Sequence, residues 1–244
     1  MWSSIEQILK PENLTEAAIL ASKGGTAIFG GGSYLNSQRD PMIRTLIDIN
    51  HLLDSVVQPQ KTGLLVGASC TLQQLIPHVQ DVFASAIRSS CPSKNIRNQR
   101  TLGGELAEAR VDSDLYVLLM VSGVTVYLNG SDNGVVLQDW DGRGIITQIF
   151  LPANTPVYER VALLDSAPAY VLVAAMVSEG GTSVVIGGKV KTLVTQSFSN
   201  NPDAVQVRDF LTKVASVFQN DHFGSIEYKQ QLVSSLLYDL TVNA

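Results

Sequence analysis

Two segments place glycine where a backbone can come close to a ligand: Gly30-Gly31-Gly32-Ser33 and Thr101-Leu102-Gly103-Gly104. Consecutive glycines remove the Cβ barrier, so successive backbone N–H groups can point into one concavity and hold phosphate oxygens without a lysine. Two such segments on opposite sides would clamp a pyrophosphate; the same pairs also serve as ordinary tight turns. Position 35 is Leu35, where the dinucleotide fingerprint requires glycine, and neither segment runs on into the Gly-Lys-Ser/Thr of a P-loop, so both of those motifs are disfavoured. Cys70 and Cys91 cannot supply the four thiolates of an iron–sulfur cluster, and His51, His78 and His222 lack metal-ligand spacing. The two cysteines read as buried thiols rather than redox partners. No Ser/His/Asp or paired-carboxylate arrangement is legible, so redox chemistry here would need an organic cofactor or a partner.

The elements around these segments follow from periodicity and caps. Asn13 with Glu16 forms a capping box for a helix that runs to Ala21 and stops at Gly24-Gly25. Thr26 to Phe29 is a short strand feeding the first glycine segment, and Thr45 to Ile49 and Leu64 to Ala68 are further strands. Thr71 caps a helix over Leu72 to Val79, followed by one near Val82 to Ile87. The segment from Ile96 to Glu105 reads as polar and turn-like and leads into helical spacing from Leu115 to Val121. Val124 to Leu128 and Ile145 to Phe150 are strands, and the prolines at 152 and 156 mark a boundary. Beyond it, Tyr170 to Val177 and Thr182 to Val190 pair as an antiparallel hairpin. Asp203 caps a helix carrying Val207, Phe210, Leu211, Val214 and Val217, and Ser225 to Leu240 is a second helix. The fold class is α+β in two parts, 1–153 and 154–244.

Composition narrows the function. With 17 Lys plus Arg against 22 Asp plus Glu, the net charge is -5, which argues against nucleic-acid binding. Charged residues make up 16%, against about 25% in an average domain, as in a subunit that buries surface against partners or in a chain that is simply rich in Ala, Val and Leu. The apolar run from Leu115 to Leu128 falls short of the roughly 20 residues of a membrane helix. The N-terminus, with Glu6 and Lys10, lacks the features of a signal peptide, so a cytoplasmic location is expected.

The chain resembles the FAD-binding subunit of the xanthine dehydrogenase and carbon monoxide dehydrogenase family of molybdenum hydroxylases over nearly its whole length. The most specific likeness is Ile96-Arg97-Asn98 followed by Thr101-Leu102-Gly103-Gly104, similar to the family's Ile-Arg-Asn-x-x-Thr-Ile-Gly-Gly-Asn signature. Gly30-Gly31-Gly32-Ser33-Tyr34-Leu35 resembles its first FAD loop, usually Ala-Gly-Gly-Thr-Asp-Leu. Val66-Gly67-Ala68 with Thr71-Leu72, and later Ile149-Phe150-Leu151-Pro152, fall in the expected order. Ile186-Gly187-Gly188 and the closing Ser225 to Lys229 resemble the family's C-terminal domain.

The resemblance implies a PCMH-like FAD-binding domain over 1–153 and a small antiparallel sheet with helices over 154–244. It implies that Gly30, Gly31, Gly32, Ser33, Tyr34 and Leu35 with Thr101, Leu102, Gly103, Gly104 and Glu105 hold the FAD pyrophosphate, largely through main-chain N–H groups. It places Asp114 against the sugar portion of FAD, Ile146 at an apolar contact and Arg160 at a basic position near the cofactor; helix capping, sheet packing and a solvated charge are the respective alternatives. It implies an electron-transfer subunit that takes electrons from an iron–sulfur small subunit through FAD to NAD+ or another acceptor, beside a molybdopterin-binding large subunit. Two departures stand out. Glu105 replaces an asparagine and sets a carboxylate near two phosphate charges unless Arg100 or Arg110 compensates. The Arg-rich, Asp-containing run that borders the flavin is here Leu163 to Pro168. Both departures also suit a flavin-free structural or assembly subunit that keeps the fold.

Overall fold

The computed structural model describes residues 2–199 and 203–242. In chain order the elements are β1 (Gln7–Leu9), α1 (Leu14–Ala21), β2 (Thr26–Phe29), α2 (Ser33–Gln38), β3 (Thr45–Asp48), β4 (Val57–Gln60), β5 (Gly63–Gly67), α3 (Leu72–Leu75), α4 (Asp81–Ser90), α5 (Lys94–Arg97), α6 (Leu102–Glu108) and α7 (Asp114–Val121). They continue with β6 (Thr125–Leu128), β7 (Gly134–Val136), β8 (Ile146–Pro152), β9 (Val157–Val161), β10 (Val171–Ser178), β11 (Gly181–Gly188), β12 (Val194–Phe198), α8 (Ala204–Val217) and α9 (Ile226–Val242). The chain is thus α+β, as its sequence predicts. No helix among the described residues is long and apolar enough to cross a membrane.

The chain divides into two compact units that are not continuous in sequence. The first comprises residues 1–78, 93–109 and 124–153, and the second 79–92, 110–123 and 154–244. The step between 153 and 154 is therefore one of several passages between units, and α4 and α7 cluster with the C-terminal sheet.

In the first unit, β1 and β2 flank β3 in a parallel sheet, and β4-β5-β8-β6-β7 form an antiparallel one. Helix α1 forms because Asn13 accepts the Glu16 N–H at 2.9 Å while the Glu16 carboxylate reaches back to the N–H of Glu12. Its Ala17 packs with Ile47, Ile49 and Ile145, which hold the ends of β3 and β8 beside each other. The expected helix 72–79 shortens to α3 plus a 3-10 turn at Ile76–His78, because Pro77 has no N–H to continue the ladder.

In the second unit, β9-β10-β11-β12 form an antiparallel sheet, with the hairpin register running from Val171 opposite Gly188 to Ser178 opposite Gly181. Val171, Val173, Ala175, Val184 and Ile186 pack with Phe210 and Val214 of α8 and Val233 and Leu237 of α9. Leu172, Ala174 and Val185, pointing to the other face, are also buried, and α7 packs against β9, β10 and β11. A strand covered on both faces loses its alternation, which is why β10 reads as an unbroken apolar run. Every residue of α7 is buried for the same reason. Helix α8 begins at Asp203, whose carboxylate accepts the N–H groups of Val205 and Gln206.

Candidate functional site

The first glycine segment is the C-terminal end of a parallel strand turning into a helix. β2 ends at Phe29, Gly32 adopts φ +67 with no capping side chain, and α2 starts at Ser33, where the sequence predicts a continuing loop. The second segment likewise becomes helical: Thr101 caps α6 by accepting the Gly104 N–H at 3.1 Å. The turn-like reading of 96–105 misses α5 and this helix start because glycines in a first turn look the same in sequence as glycines in a loop.

The two segments meet. A Cβ on Gly31 would overlap the carbonyl oxygen of Gln99 and lie 2.7 Å from its carbon, so main chain packs directly on main chain there. Together they wall a cleft of about 390 Å3, a volume typical of a small-molecule site. Gly30, Gly31, Gly32, Ser33, Tyr34, Leu35, Thr101, Gly103, Gly104 and Ile146 of the sequence-derived set line it. Its apolar wall comes from Ile28, Ile49, Leu53 and Ile145.

The remaining expected residues lie elsewhere. Leu102 and Glu105 are wholly buried and do not line the cleft. Glu105 instead pairs with Arg100 at 3.2 Å, so the carboxylate that stands in for the family's asparagine meets a guanidinium. Asp114 and Arg160 belong to the second unit and pair with each other at 2.8 Å. Asp114 is the first residue of α7 and Ser113 is its cap, so it does not act as the N-cap. Its burial pushes the carboxyl up to about 6, an effect that the Arg160 guanidinium and a Ser89 hydrogen bond only partly oppose. Arg160 also donates to the carbonyls of Asp165 and Ala167, fixing the loop that leaves Leu163 and Leu164 exposed. It is not a solvated charge.

The hydrogen bonding of the second segment differs from the expected phosphate-holding role. The N–H groups of Leu102, Gly103, Gly104 and Glu105 are taken by Cys70 O, Ala68 O, Thr101 Oγ1 and Thr101 O. Gly103 and Gly104 thus contribute room more than donors. Sequence reasoning did not place Glu108 in the cleft. It lies on the same side of α6 as Glu105, three residues on, a spacing that becomes readable only once the helix is known. Cys70 is buried and its thiol is pushed up to about 11 by desolvation, and Cys91 is buried too, so neither is poised for thiolate chemistry.

The cleft fits a flavin nucleotide in its walls and donors. A Cβ on Gly30 would make only an ordinary contact with Thr101 Oγ1, at 3.6 Å, so the missing side chain leaves the cleft open there, whereas one on Gly104 would crowd that hydroxyl at 2.9 Å. Arg100 offers a guanidinium to a diphosphate, and the apolar wall suits a planar ring.

Comparison with known proteins agrees. YgfM of Escherichia coli K12, an uncharacterised protein, is 25% identical over 255 residues, covering 97% of this chain and 95% of that protein. The fold is that of a chain of CO dehydrogenase from Oligotropha carboxidovorans (TM-score 0.72, 19% identity, covering 97% of this chain and 96% of that one). It is equally similar to a chain of quinoline 2-oxidoreductase from Pseudomonas putida 86 (TM-score 0.72, 18% identity, 98% and 96% covered). Residues 4–153 match the FAD binding domain in molybdopterin dehydrogenase, so the chain belongs to that family, as an oxidoreductase component whose cofactor is FAD.

Proposed function

We propose that this chain is the electron-transfer subunit of a multi-subunit molybdenum hydroxylase resembling xanthine dehydrogenase. In this reading a molybdopterin-binding large subunit oxidises the substrate, an iron–sulfur small subunit relays the electrons, and NAD+ or another acceptor receives them here. FAD, when bound, supplies the redox chemistry. The protein's own part is to hold and shield it. Gly30 to Leu35 and Gly103-Gly104 leave room for the diphosphate, Arg100 offsets its charge, and Ile28, Ile49, Leu53 and Ile145 exclude water from a ring. The observation that carries this reading is the meeting of both glycine segments in one cleft, within the stretch that matches the family.

The purified chain, titrated with FAD after complete removal of any bound flavin, should regain the visible flavin spectrum at one flavin per chain. A folded chain that takes up no FAD overturns the reading. It would favour instead the flavin-free structural subunit, which has one observation of its own: Glu108 sets a carboxylate in the wall of the cleft.

A further inference from the structure

The cleft of the first unit carries a charge arrangement that family membership does not explain. The Arg100 side chain, 9% exposed, faces three groups, one from the first glycine segment and two from α6. Its Nε lies 3.4 Å from Ser33 Oγ, at the first residue of α2, while Nη1 lies 3.2 Å from Glu105 and Nη2 3.7 Å from Glu108 on α6. The two carboxylates are not equivalent. Glu105 is wholly buried behind the cleft wall, whereas Glu108 lines the cleft and keeps 13% of its side chain exposed. A contact of 3.7 Å is longer than a hydrogen bond, so the Glu108 contact with Arg100 is Coulombic and weaker.

Two carboxylates on one guanidinium compete with a diphosphate for its N–H groups. A guanidinium can, however, present a planar fork to a phosphate while one edge stays engaged. Moving Glu108 off Nη2 would expose such a donor inside the cleft, and Glu108 can turn toward water because it is partly exposed. Glu105 cannot, because it is wholly buried and has no water to turn to.

We propose that Arg100 is the phosphate anchor of this cleft, with Glu105 as its buried positioning residue and Glu108 as an exchangeable stand-in that the ligand's diphosphate displaces. This rests on the FAD reading above and deepens it. The cleft discriminates flavins by their phosphates, and the acidic residue that replaces the family's asparagine serves the guanidinium and not the cofactor.

The test is a titration of the flavin-free full-length chain with FAD and, separately, with riboflavin, which has no phosphate. Wild type, Glu108→Gln and the double variant R100Q/E105Q are compared at low and high salt. Glu108→Gln should tighten FAD about tenfold, because the competing charge is gone. The double variant, which removes both members of the buried Arg100–Glu105 pair together, should weaken FAD about tenfold or more and flatten its salt dependence. Riboflavin binding should move with neither. A purely structural role for the cluster would shift both flavins together, and that result overturns the proposal, as does an unchanged or weakened FAD affinity in Glu108→Gln. If the double variant does not fold, the sign of the Glu108→Gln effect and its absence for riboflavin decide. FAD uptake by the wild type with variants that do not differ overturns this inference alone; no uptake by the wild type overturns the proposed function and the inference with it.

Discussion

Substitution of Gly31 by alanine probes the point where the two glycine segments touch. Ordinary contact begins at 3.4 Å, whereas the new Cβ would sit 2.7 Å from the carbonyl carbon of Gln99 and closer still to its oxygen. The segments would have to part by at least about 0.7 Å. Forcing an extra methyl into a packed region costs about 1–3 kcal/mol, and here the obstacle is main chain with no rotamer to yield, so the upper end, about 3 kcal/mol, applies. The entropic gain of replacing glycine, about 0.4–1 kcal/mol, offsets only part of that. For a chain of this length the net loss lowers Tm by roughly 4–10 °C. Because Gly31 also lines the cleft, FAD affinity should fall together with Tm. Thermal melts by circular dichroism and FAD titrations read both quantities, and Gly24→Ala is the control, since nothing lies within 4 Å of a Cβ there. A Gly31→Ala protein that melts with the wild type and binds FAD equally well would show that the segments do not meet through this residue.

Three further outcomes are expected. Gly104→Val should abolish flavin retention by filling the cleft beside α6, with a loss of stability of about 1 kcal/mol as its Cβ crowds the Thr101 cap; flavin per folded chain measures it, and full occupancy would sink the assignment of Gly104 to the site. Glu105→Asn restores the family's usual side chain yet should destabilise the protein by about 3 kcal/mol, because it removes the buried partner of Arg100; urea unfolding midpoints compare the two forms, and equal midpoints would mean that the pair contributes nothing. The Asp114 carboxyl titrates near 6 in the folded chain against an ordinary 3.8, so the folded state holds its proton more tightly and stability falls as pH rises from about 4 to 6, by roughly 3 kcal/mol. Asp114→Asn should flatten that slope in Tm against pH, and a slope left intact would place the titration in another group.

Local signals in the sequence were sufficient where a cap and a period agree. Asn13 with Glu16, Thr71 and Asp203 each mark a helix start that the structure contains, and Gln74 and Gln206 complete capping boxes at the last two. The hairpin of β10 and β11 was legible because two strand-like segments rich in Val and Ile lie on either side of a Glu179-Gly180 turn. Short strands such as β1 and β7 were not, since three half-exposed residues carry too little pattern and owe their conformation to a neighbouring strand. In the site, the glycines were legible because only small residues permit such close approach. The partners of charged groups were not: nothing in the sequence pairs Asp114 with Arg160, or assigns Arg100 rather than Arg110 to Glu105, until tertiary structure brings them together.

The interleaving of the two units sets the order in which a nascent chain can bury its apolar surface. When residue 153 leaves the ribosome, α7 is already made, with Leu115 to Val121 buried in the finished protein, but the strands it packs on, β9 to β11, end only at Gly188. Until they emerge, α7 has only the earlier helix α4 to pack on and its sheet-facing side stays bare, a state prone to aggregation. A fragment cut at 153 would keep α4 beside α7 but leave the sheet-facing side of α7 bare for good, so the stretch that matches the family carries a surface that only the C-terminal sheet covers.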